Sequence, residues 1–168
     1  VDRQLKAIKY NYAIVNLSRA KRKNLTAYDV IIIASMVESE AQLASERKLI
    51  AAVIYNRLKD GIPLQIDATS RYALNNWTRP LKTSELQADG PYNTRRRKGL
   101  PPTPIGNPGL ASIRAAAAPA KVDYLYYVVK PGTCGKHAFS STNEQFQRDS
   151  QRYNQARNAA GGKSPTTC

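Results

Sequence analysis

Two glutamates that follow an apolar segment are the residues of this sequence best suited to acid–base chemistry. Residues 30–37 read VIIIASMV, and Glu38 and Glu40 come directly after them. A carboxyl group at the C-terminal end of a buried helix is desolvated and lies near the negative end of the helix dipole, and both effects favour its neutral form. Because a neutral carboxylic acid can protonate a glycosidic oxygen near pH 7, we interpret Glu38 as the candidate general acid/base. Glu40 points to another side of the helix and is the rival for this role.

Two further groups of polar residues are typical of sugar-binding sites. Gln65 and Asp67 alternate around Ile66, so an extended segment would place both on one face. The run 92–94 combines a phenol, an amide and a hydroxyl: Tyr92, Asn93 and Thr94. Ordinary stabilisation of turns remains an alternative role for each group.

The sequence lacks the motifs of nucleophilic catalysis, nucleotide binding and metal binding. His137 is the only histidine, and no nucleophile elbow, P-loop or glycine-rich dinucleotide motif is present. We therefore interpret His137 as a packing or substrate-wall residue, and Glu46 as a helix-start acid or ion-pair partner. Cys134 and His137 have no further metal ligands nearby, so a metal site is not predicted. A disulfide between Cys134 and Cys168 and two unpaired thiols both remain open.

The charge of the chain favours a polyanionic partner. A formal charge of +14 on 168 residues is high, and nucleic acid, anionic lipid or an acidic wall polymer would each complement it. Four consecutive cations form a basic loop that is solvated by default and could hold an anionic wall polymer: Arg95, Arg96, Arg97 and Lys98. No nucleic-acid-binding motif accompanies them, so nucleic acid is not a predicted partner.

Capping signals and periodicity predict a helix-rich fold. Thr26 and Asp29 have capping-box spacing and begin the apolar helix that ends near Glu38. A second helix is expected over 45–59, mostly irregular chain over 62–106, and a further helix opened by Asn107 and stopped by Pro119.

The C-terminal third predicts a small β element. Residues 123–129 are typical of a strand, and residues 136–140 are the expected hairpin partner. Thr142 and Gln145 have capping-box spacing and begin a last helix that extends to about Arg157. We predict an α+β fold that comprises a basic helical segment (1–25), a catalytic core (26–160) and a tail (161–168). No apolar run reaches the length of about 20 residues that a membrane span needs, and we expect the chain to be a mature or excised piece of a longer protein.

Several segments, taken together, resemble the catalytic domain of the YceG-like, MltG-type endolytic transglycosylases. In chain order they are IASMVESEA (33–41), ASERKLIAAVIYNRL (44–58), LQIDAT (64–69), PYNT (91–94), GLPPTPIGNPG (99–109), AAAAPAKVDYLYYVV (115–129) and KHAFS (136–140). They span nearly the whole of the predicted core.

The resemblance implies a lysozyme-like helical core with added β elements, which would cleave the MurNAc–GlcNAc β-1,4 bond within glycan strands. It places the catalytic role on Glu38, with no metal or organic cofactor, and places His137 in the motif that closes the site. The remaining matched residues would bind substrate: Glu40, Gln65, Asp67, Thr69, Tyr92, Asn93 and Thr94. It also implies the extracytoplasmic face of the bacterial membrane, an N-terminal anchor absent from this chain, and work beside cell-wall synthesis machinery. Apart from the resemblance, we expect a monomer.

Two other functions stay open at the level of the sequence. A hydrolytic muramidase could use Asp67 as a second carboxylate, since ordinary glycosidases employ two. A non-catalytic domain could bind the cell wall or another polyanion through the same fold. An acid at the end of a buried helix favours catalysis, because a pure binding domain does not need one.

Overall fold

The computed structural model describes Lys6, Tyr10 and residues 14–166, and these form an α+β fold as predicted. The helices are α1 (Ser18–Lys21), α2 (Ala27–Glu40), α3 (Arg47–Lys59), α4 (Asp67–Ala73), α5 (Thr83–Gln87), α6 (Leu110–Ala117) and α7 (Asn143–Ala159). A 3₁₀ turn, Ala44–Glu46, precedes α3, and the strands are β1 (Tyr126–Val129) and β2 (His137–Ser140). Of the predicted basic helical segment 1–25, residues 1–5, 7–9 and 11–13 lie outside the described residues, and α1 lies within the part that is described.

Helix α2 is the central element of the core. Its capping box is complete: the Asp29 amide donates to the Thr26 hydroxyl at 3.1 Å, and the Thr26 amide donates to the Asp29 carboxylate at 2.7 Å. Ile33 and Met36 of α2 are fully buried, as are Ile50 of α3 and Ile113 of α6. The predicted buried helix is therefore confirmed, and it is packed between α3 and α6.

The long stretch between α3 and α6 is more ordered than the sequence predicts. It contains α4 and α5, which the expectation of mostly irregular chain over 62–106 missed. The Gln65 amide donates to Thr94 O at 2.9 Å, and the Ile66 amide donates to the Thr94 hydroxyl at 3.0 Å. These long-range bonds fix the start of α4, which local sequence patterns do not report.

Helix α6 begins two residues later than predicted. Its N-cap is Gly109 rather than Asn107, and the Gly109 amide donates to Oε2 of Glu38 at 3.2 Å. The preceding loop is tied to the core because the Ile105 amide donates to the buried Ser35 hydroxyl at 3.0 Å. Tertiary bonds to α2 thus replace the local Asn cap.

The predicted hairpin is confirmed as an antiparallel pair. Tyr126 lies opposite Ser140 and Val129 opposite His137. Helix α7 covers the hairpin, and its Phe146 ring stacks on Tyr126 with ring centroids 4.9 Å apart. Thr142 caps α7 by accepting a bond from the Gln145 amide at 3.3 Å. The hairpin and the end of α2 together provide two walls of a cleft.

Among the residues that the structure describes, no helix has the length and apolar character needed to cross a membrane. Cys134 is disulfide-bonded, and Cys168 lies outside the described residues.

Candidate active site

A cleft of about 610 Å³ lies between the end of α2, the start of α4 and the β-hairpin. Four of the predicted site residues line it: Glu40, Gln65, Asp67 and His137. Its other walls come from residues that the sequence did not single out for this site, with Arg57, Tyr127 and Tyr153 among them, and from Arg95 of the basic loop. The cleft therefore combines carboxylates, an amide, cations and phenols.

Glu40, and not Glu38, is the desolvated carboxyl at the end of α2. Burial raises the pKa of Glu40, and the nearby charge of Asp67 raises it further. A hydrogen bond from the Tyr127 side chain, the charge of His137 and a backbone hydrogen bond from Ala68 act in the opposite direction on this pKa, but the effect of burial is larger. A carboxyl whose pKa is raised by desolvation can retain a proton for delivery to a substrate.

The expectation that Glu38 is desolvated is wrong. Its side chain is 40% exposed and lies 3.9 Å from the guanidinium of Arg47. Its Oε2 accepts the bond from the Gly109 amide, and Arg47 also donates to the Ser112 hydroxyl at 3.1 Å. Consecutive residues of an α-helix are rotated by about 100°, so Glu38 and Glu40 face nearly opposite sides. Glu38 joins α2 to the start of α6, outside the cleft.

Tyr127 of β1 connects the hairpin to Glu40. Its hydroxyl donates to Oε2 of Glu40 at 3.0 Å. Burial raises the pKa of Tyr127 well above its ordinary value, and the adjacent Glu40 contributes to that rise. The phenol therefore stays a hydrogen-bond donor throughout the physiological pH range and orients the Glu40 carboxyl.

Gln65 and Asp67 share the cleft for a different reason from the one predicted. Gln65 has a positive φ of 58°, and Asp67 is the first residue of α4, so they do not alternate along an extended segment. Arg95 donates to Oδ1 of Asp67 through Nε at 2.9 Å and through Nη2 at 2.7 Å. The turn at Gln65 and this ion pair place both side chains beside Glu40.

Arg57 is the buried cation that fixes this turn. Its Nη1 donates to Pro63 O at 2.8 Å, to Leu64 O at 3.1 Å and to the Gln65 side chain at 3.1 Å. Its Nε donates to Leu125 O, just before β1, at 2.6 Å. Burial lowers the pKa of Arg57, although a guanidinium stays charged in proteins. The sequence does not reveal this role of Arg57, because three of the four acceptors are backbone carbonyls.

His137 forms a buried pair with Glu46. The Glu46 carboxylate accepts from the His137 amide at 2.9 Å and contacts the imidazole Nδ1 at 2.7 Å. The His137 side chain is only 6% exposed, and its ring meets Tyr127 edge-on. The interpretation of Glu46 as an ion-pair partner and of His137 as a wall residue fits this geometry.

The other predicted substrate-binding residues form hydrogen bonds within the protein. The hydroxyls of Thr69 and Thr94 are buried and lie 3.1 Å apart. The Asn93 amide donates to Leu86 O and Ala88 O, and the Tyr92 hydroxyl bonds to that of Thr103. These four side chains are not among the residues that line the cleft, and their polar atoms bond within the protein. Their contact with substrate stays a prediction.

Two cations of the basic loop form ion pairs within the protein, and the other two are exposed to solvent. Arg95 binds Asp67, and Arg97 forms an ion pair with Asp89 at 3.0 Å. This pairing lowers the pKa of Asp89. Arg96 and Lys98 are exposed and are the members of the run best placed to meet an anionic polymer.

Within the described part of the chain, no three His, Cys, Asp or Glu side chains are grouped so that they could hold a metal ion. The chemistry that the cleft can supply is that of a single desolvated carboxyl beside an ion-paired aspartate. Such an arrangement suits proton transfer to and from an oxygen atom.

Comparison with known proteins gives one consistent family. The model of the YceG-like family matches residues 1–152. A protein of Bacillus subtilis named endolytic murein transglycosylase is 35% identical over 148 residues, which are 88% of this chain and 41% of the relative. A Streptococcus pneumoniae protein of the same name is 35% identical over 154 residues, covering 89% of this chain and 28% of the relative. The chain thus spans less than half the length of these curated relatives.

A solved structure supports the fold. The crystal structure of a putative yceG-like protein from Listeria monocytogenes matches with a TM-score of 0.70 and 39% sequence identity. The match covers 76% of this chain and 41% of that protein.

Proposed function

The chain belongs to the YceG-like family, and on that premise we propose that it is the catalytic part of an endolytic peptidoglycan lytic transglycosylase. Glu40 carries the proposal: it is a desolvated carboxyl with a raised pKa, held by Tyr127 in a cleft that also contains Gln65, Asp67 and His137. The names of the relatives supply the reaction class and the substrate class.

In the first step, protonated Glu40 donates its proton to the glycosidic oxygen between MurNAc and GlcNAc. The C1–O bond breaks, GlcNAc departs with a new hydroxyl, and positive charge develops at C1 of MurNAc. Glu40 is now a carboxylate. The nearby carboxylate of Asp67 raises the pKa of Glu40, which keeps the proton available for this step.

In the second step, the C6 hydroxyl of the same MurNAc attacks C1, and Glu40 takes the proton of that hydroxyl. A 1,6-anhydroMurNAc end forms and Glu40 returns to its neutral form, so no water is consumed. Attack within one sugar has a large proximity advantage. A single acid/base residue is sufficient for the whole cycle.

The other side chains of the cleft bind and orient the substrate. The Gln65 amide and the Arg95–Asp67 pair offer donors and acceptors for the hydroxyl and acetamido groups of the sugars. Exposed Arg96 and Lys98 would contact anionic wall polymers. With peptidoglycan as its substrate, the proposed enzyme would act on the extracytoplasmic face of the bacterial membrane, beside cell-wall synthesis.

A hydrolytic muramidase is the second candidate, because Asp67 lines the same cleft and interacts electrostatically with Glu40. The Arg95 ion pair on Oδ1 of Asp67 favours a positioning role for this carboxylate.

Product analysis separates these candidates. Purified, uncrosslinked glycan strands are digested with the chain, and the products are identified by mass spectrometry. We expect anhydroMurNAc ends, which are lighter than hydrolytic products by one water. Reducing MurNAc ends would establish a hydrolase, and intact strands would contradict the proposal.

A further inference from the structure

A second cavity continues from the catalytic cleft. It has a volume of about 530 Å³ and shares Asp67 and Tyr153 with the cleft. Its own walls include Arg71 of α4, Trp77 of the following loop and Arg157 of α7. Both volumes fall within the range of about 300–1,000 Å³ typical of ligand-binding pockets. Together the cleft and the second cavity form one extended surface along α4.

Trp77 is the notable residue of this second cavity. It is the only tryptophan of the sequence, and its side chain is 51% exposed. A tryptophan is usually highly buried, because its large apolar surface gains most from leaving water. An exposed indole at the wall of a cavity is therefore typical of a binding surface.

The loop that carries Trp77 is held in place on both sides. The buried Asn76 side chain accepts from the Arg79 amide at 3.2 Å, and its own amide donates to Arg79 O at 3.3 Å. Arg71 donates to Asn76 O at 3.2 Å and to Arg79 O at 3.0 Å. Arg79 in turn forms an ion pair with Glu85 of α5. These bonds restrict the backbone around Trp77, so little conformational entropy is lost when a ligand contacts the indole.

We propose that Trp77 is the platform of an outer glycan subsite, on which a sugar of the peptidoglycan strand stacks beyond the bond that Glu40 cleaves. The inference rests on the proposed function, since it extends the same polymer from the catalytic cleft into the second cavity. A pyranose ring presents a face of C–H groups, and the flat, electron-rich indole complements it. The guanidinium groups of Arg71 and Arg157 border the same cavity and can donate to hydroxyl, acetamido and lactyl carboxylate oxygens.

An outer subsite would add binding energy for a long glycan strand without adding a catalytic group. A sugar stacked away from the cleaved bond is bound alike in the ground state and in the transition state, so its binding energy lowers KM. The subsite therefore predicts that Trp77 contributes to the binding of long strands and not to the proton-transfer steps.

Intrinsic fluorescence tests this inference directly, because all tryptophan emission of the chain comes from Trp77. A Glu40→Gln variant, in which cleavage is blocked, is titrated with purified glycan strands, and binding is followed in parallel by calorimetry. We expect a saturable change in emission with the same midpoint as the calorimetric curve.

Substitutions provide the matched controls. In the Glu40→Gln background, Trp77→Ala should weaken strand binding about tenfold, and Trp77→Phe should restore most of the affinity. With Glu40 present, Trp77→Ala should raise the KM for long strands by a similar factor. Tyr28→Ala removes another exposed aromatic, 52% exposed at the other end of α2, and should leave binding unchanged. Circular dichroism confirms that each variant is folded.

The contrary outcomes are distinguishable. Strands that bind by calorimetry without changing the emission, or with equal affinity for Trp77→Ala, would overturn the outer subsite and leave the proposed function intact. An absence of both strand binding by the Glu40→Gln variant and strand cleavage by the parent would overturn the proposed function, and the subsite with it.

Discussion

The Tyr127 hydroxyl lies 3.0 Å from Oε2 of Glu40 and donates a hydrogen bond to it. This contact joins the first strand of the hairpin to the last residue of α2, 87 positions earlier in the chain. The hairpin therefore orients Glu40. Burial raises the pKa of this carboxyl, whereas the bond from Tyr127 lowers it, so the hairpin contributes an interaction that limits the rise.

Removal of the Tyr127 hydroxyl should shift the pH dependence of cleavage. In the proposed mechanism the active form of Glu40 carries a proton, so the rate should fall as pH rises through its pKa. Tyr127→Phe removes an interaction that lowers this pKa, and the alkaline limb of kcat against pH should move to higher pH. Tyr124→Phe, which alters a neighbouring tyrosine stacked on Phe139, should leave the limb unmoved. A shift to lower pH would contradict the role assigned to the bond.

Glu40→Gln should make the protein more stable at higher pH. Between the ordinary carboxyl pKa and the raised pKa of Glu40, the folded state binds a proton that the unfolded state has released. The free energy of unfolding therefore falls as pH rises through this window. Thermal unfolding at several pH values should show the Tm of Glu40→Gln rising relative to the parent with increasing pH. Gln151→Ala, at an exposed position that does not titrate, should give a difference from the parent that is independent of pH.

Arg57→Lys should weaken both the fold and the activity. Lysine keeps the charge but lacks the planar fork that reaches Gln65 and the carbonyls of Pro63 and Leu125. We expect a loss of about 2–4 kcal/mol in the free energy of unfolding, measured by urea denaturation, and slower cleavage because Gln65 loses its partner. Arg22→Lys, at an exposed position, should change stability by no more than about 0.5 kcal/mol. Equal stability of the two variants would contradict this role.

Glu46→Ala should destabilise the hairpin end of the cleft. The substitution removes the acceptor of the His137 amide and the partner of its imidazole, both of which are buried. The expected loss is about 2–4 kcal/mol in the free energy of unfolding. Denaturation with urea measures it, with Glu144→Ala as the exposed control. A change below about 0.5 kcal/mol would show that the pair does not hold the hairpin.

Local signals in the sequence were sufficient for the main elements of the fold. The Thr26–Asp29 capping box, the apolar run of α2 and the strand composition of residues 123–129 each act over a few neighbouring residues, and each predicted element is present. The start of α6 was placed wrongly because Asn107 is a good local cap, whereas the observed cap position is selected by a bond from Gly109 to Glu38 on α2.

The candidate site depends more on tertiary contacts than the fold does, and the choice between Glu38 and Glu40 shows why. Both follow the same apolar run, and the sequence does not say which side of the helix end the hairpin covers. Tyr127, Arg57 and Arg95 gain their roles from contacts between residues six to 87 positions apart in the chain. Asn93 and Thr94 resembled sugar ligands because buried polar residues and binding residues share the same side-chain chemistry.

Cleavage of uncrosslinked glycan strands by the Glu40→Gln and Glu38→Gln variants tests the central claim most directly. Glutamine keeps the size of each side chain, and at position 38 it can still accept the bond from the Gly109 amide. We expect Glu40→Gln to lose about 10²–10⁴-fold in kcat while Glu38→Gln retains activity within about tenfold of the parent. Loss of cleavage in Glu38→Gln together with full activity in Glu40→Gln would contradict the assignment and return the acid/base role to Glu38.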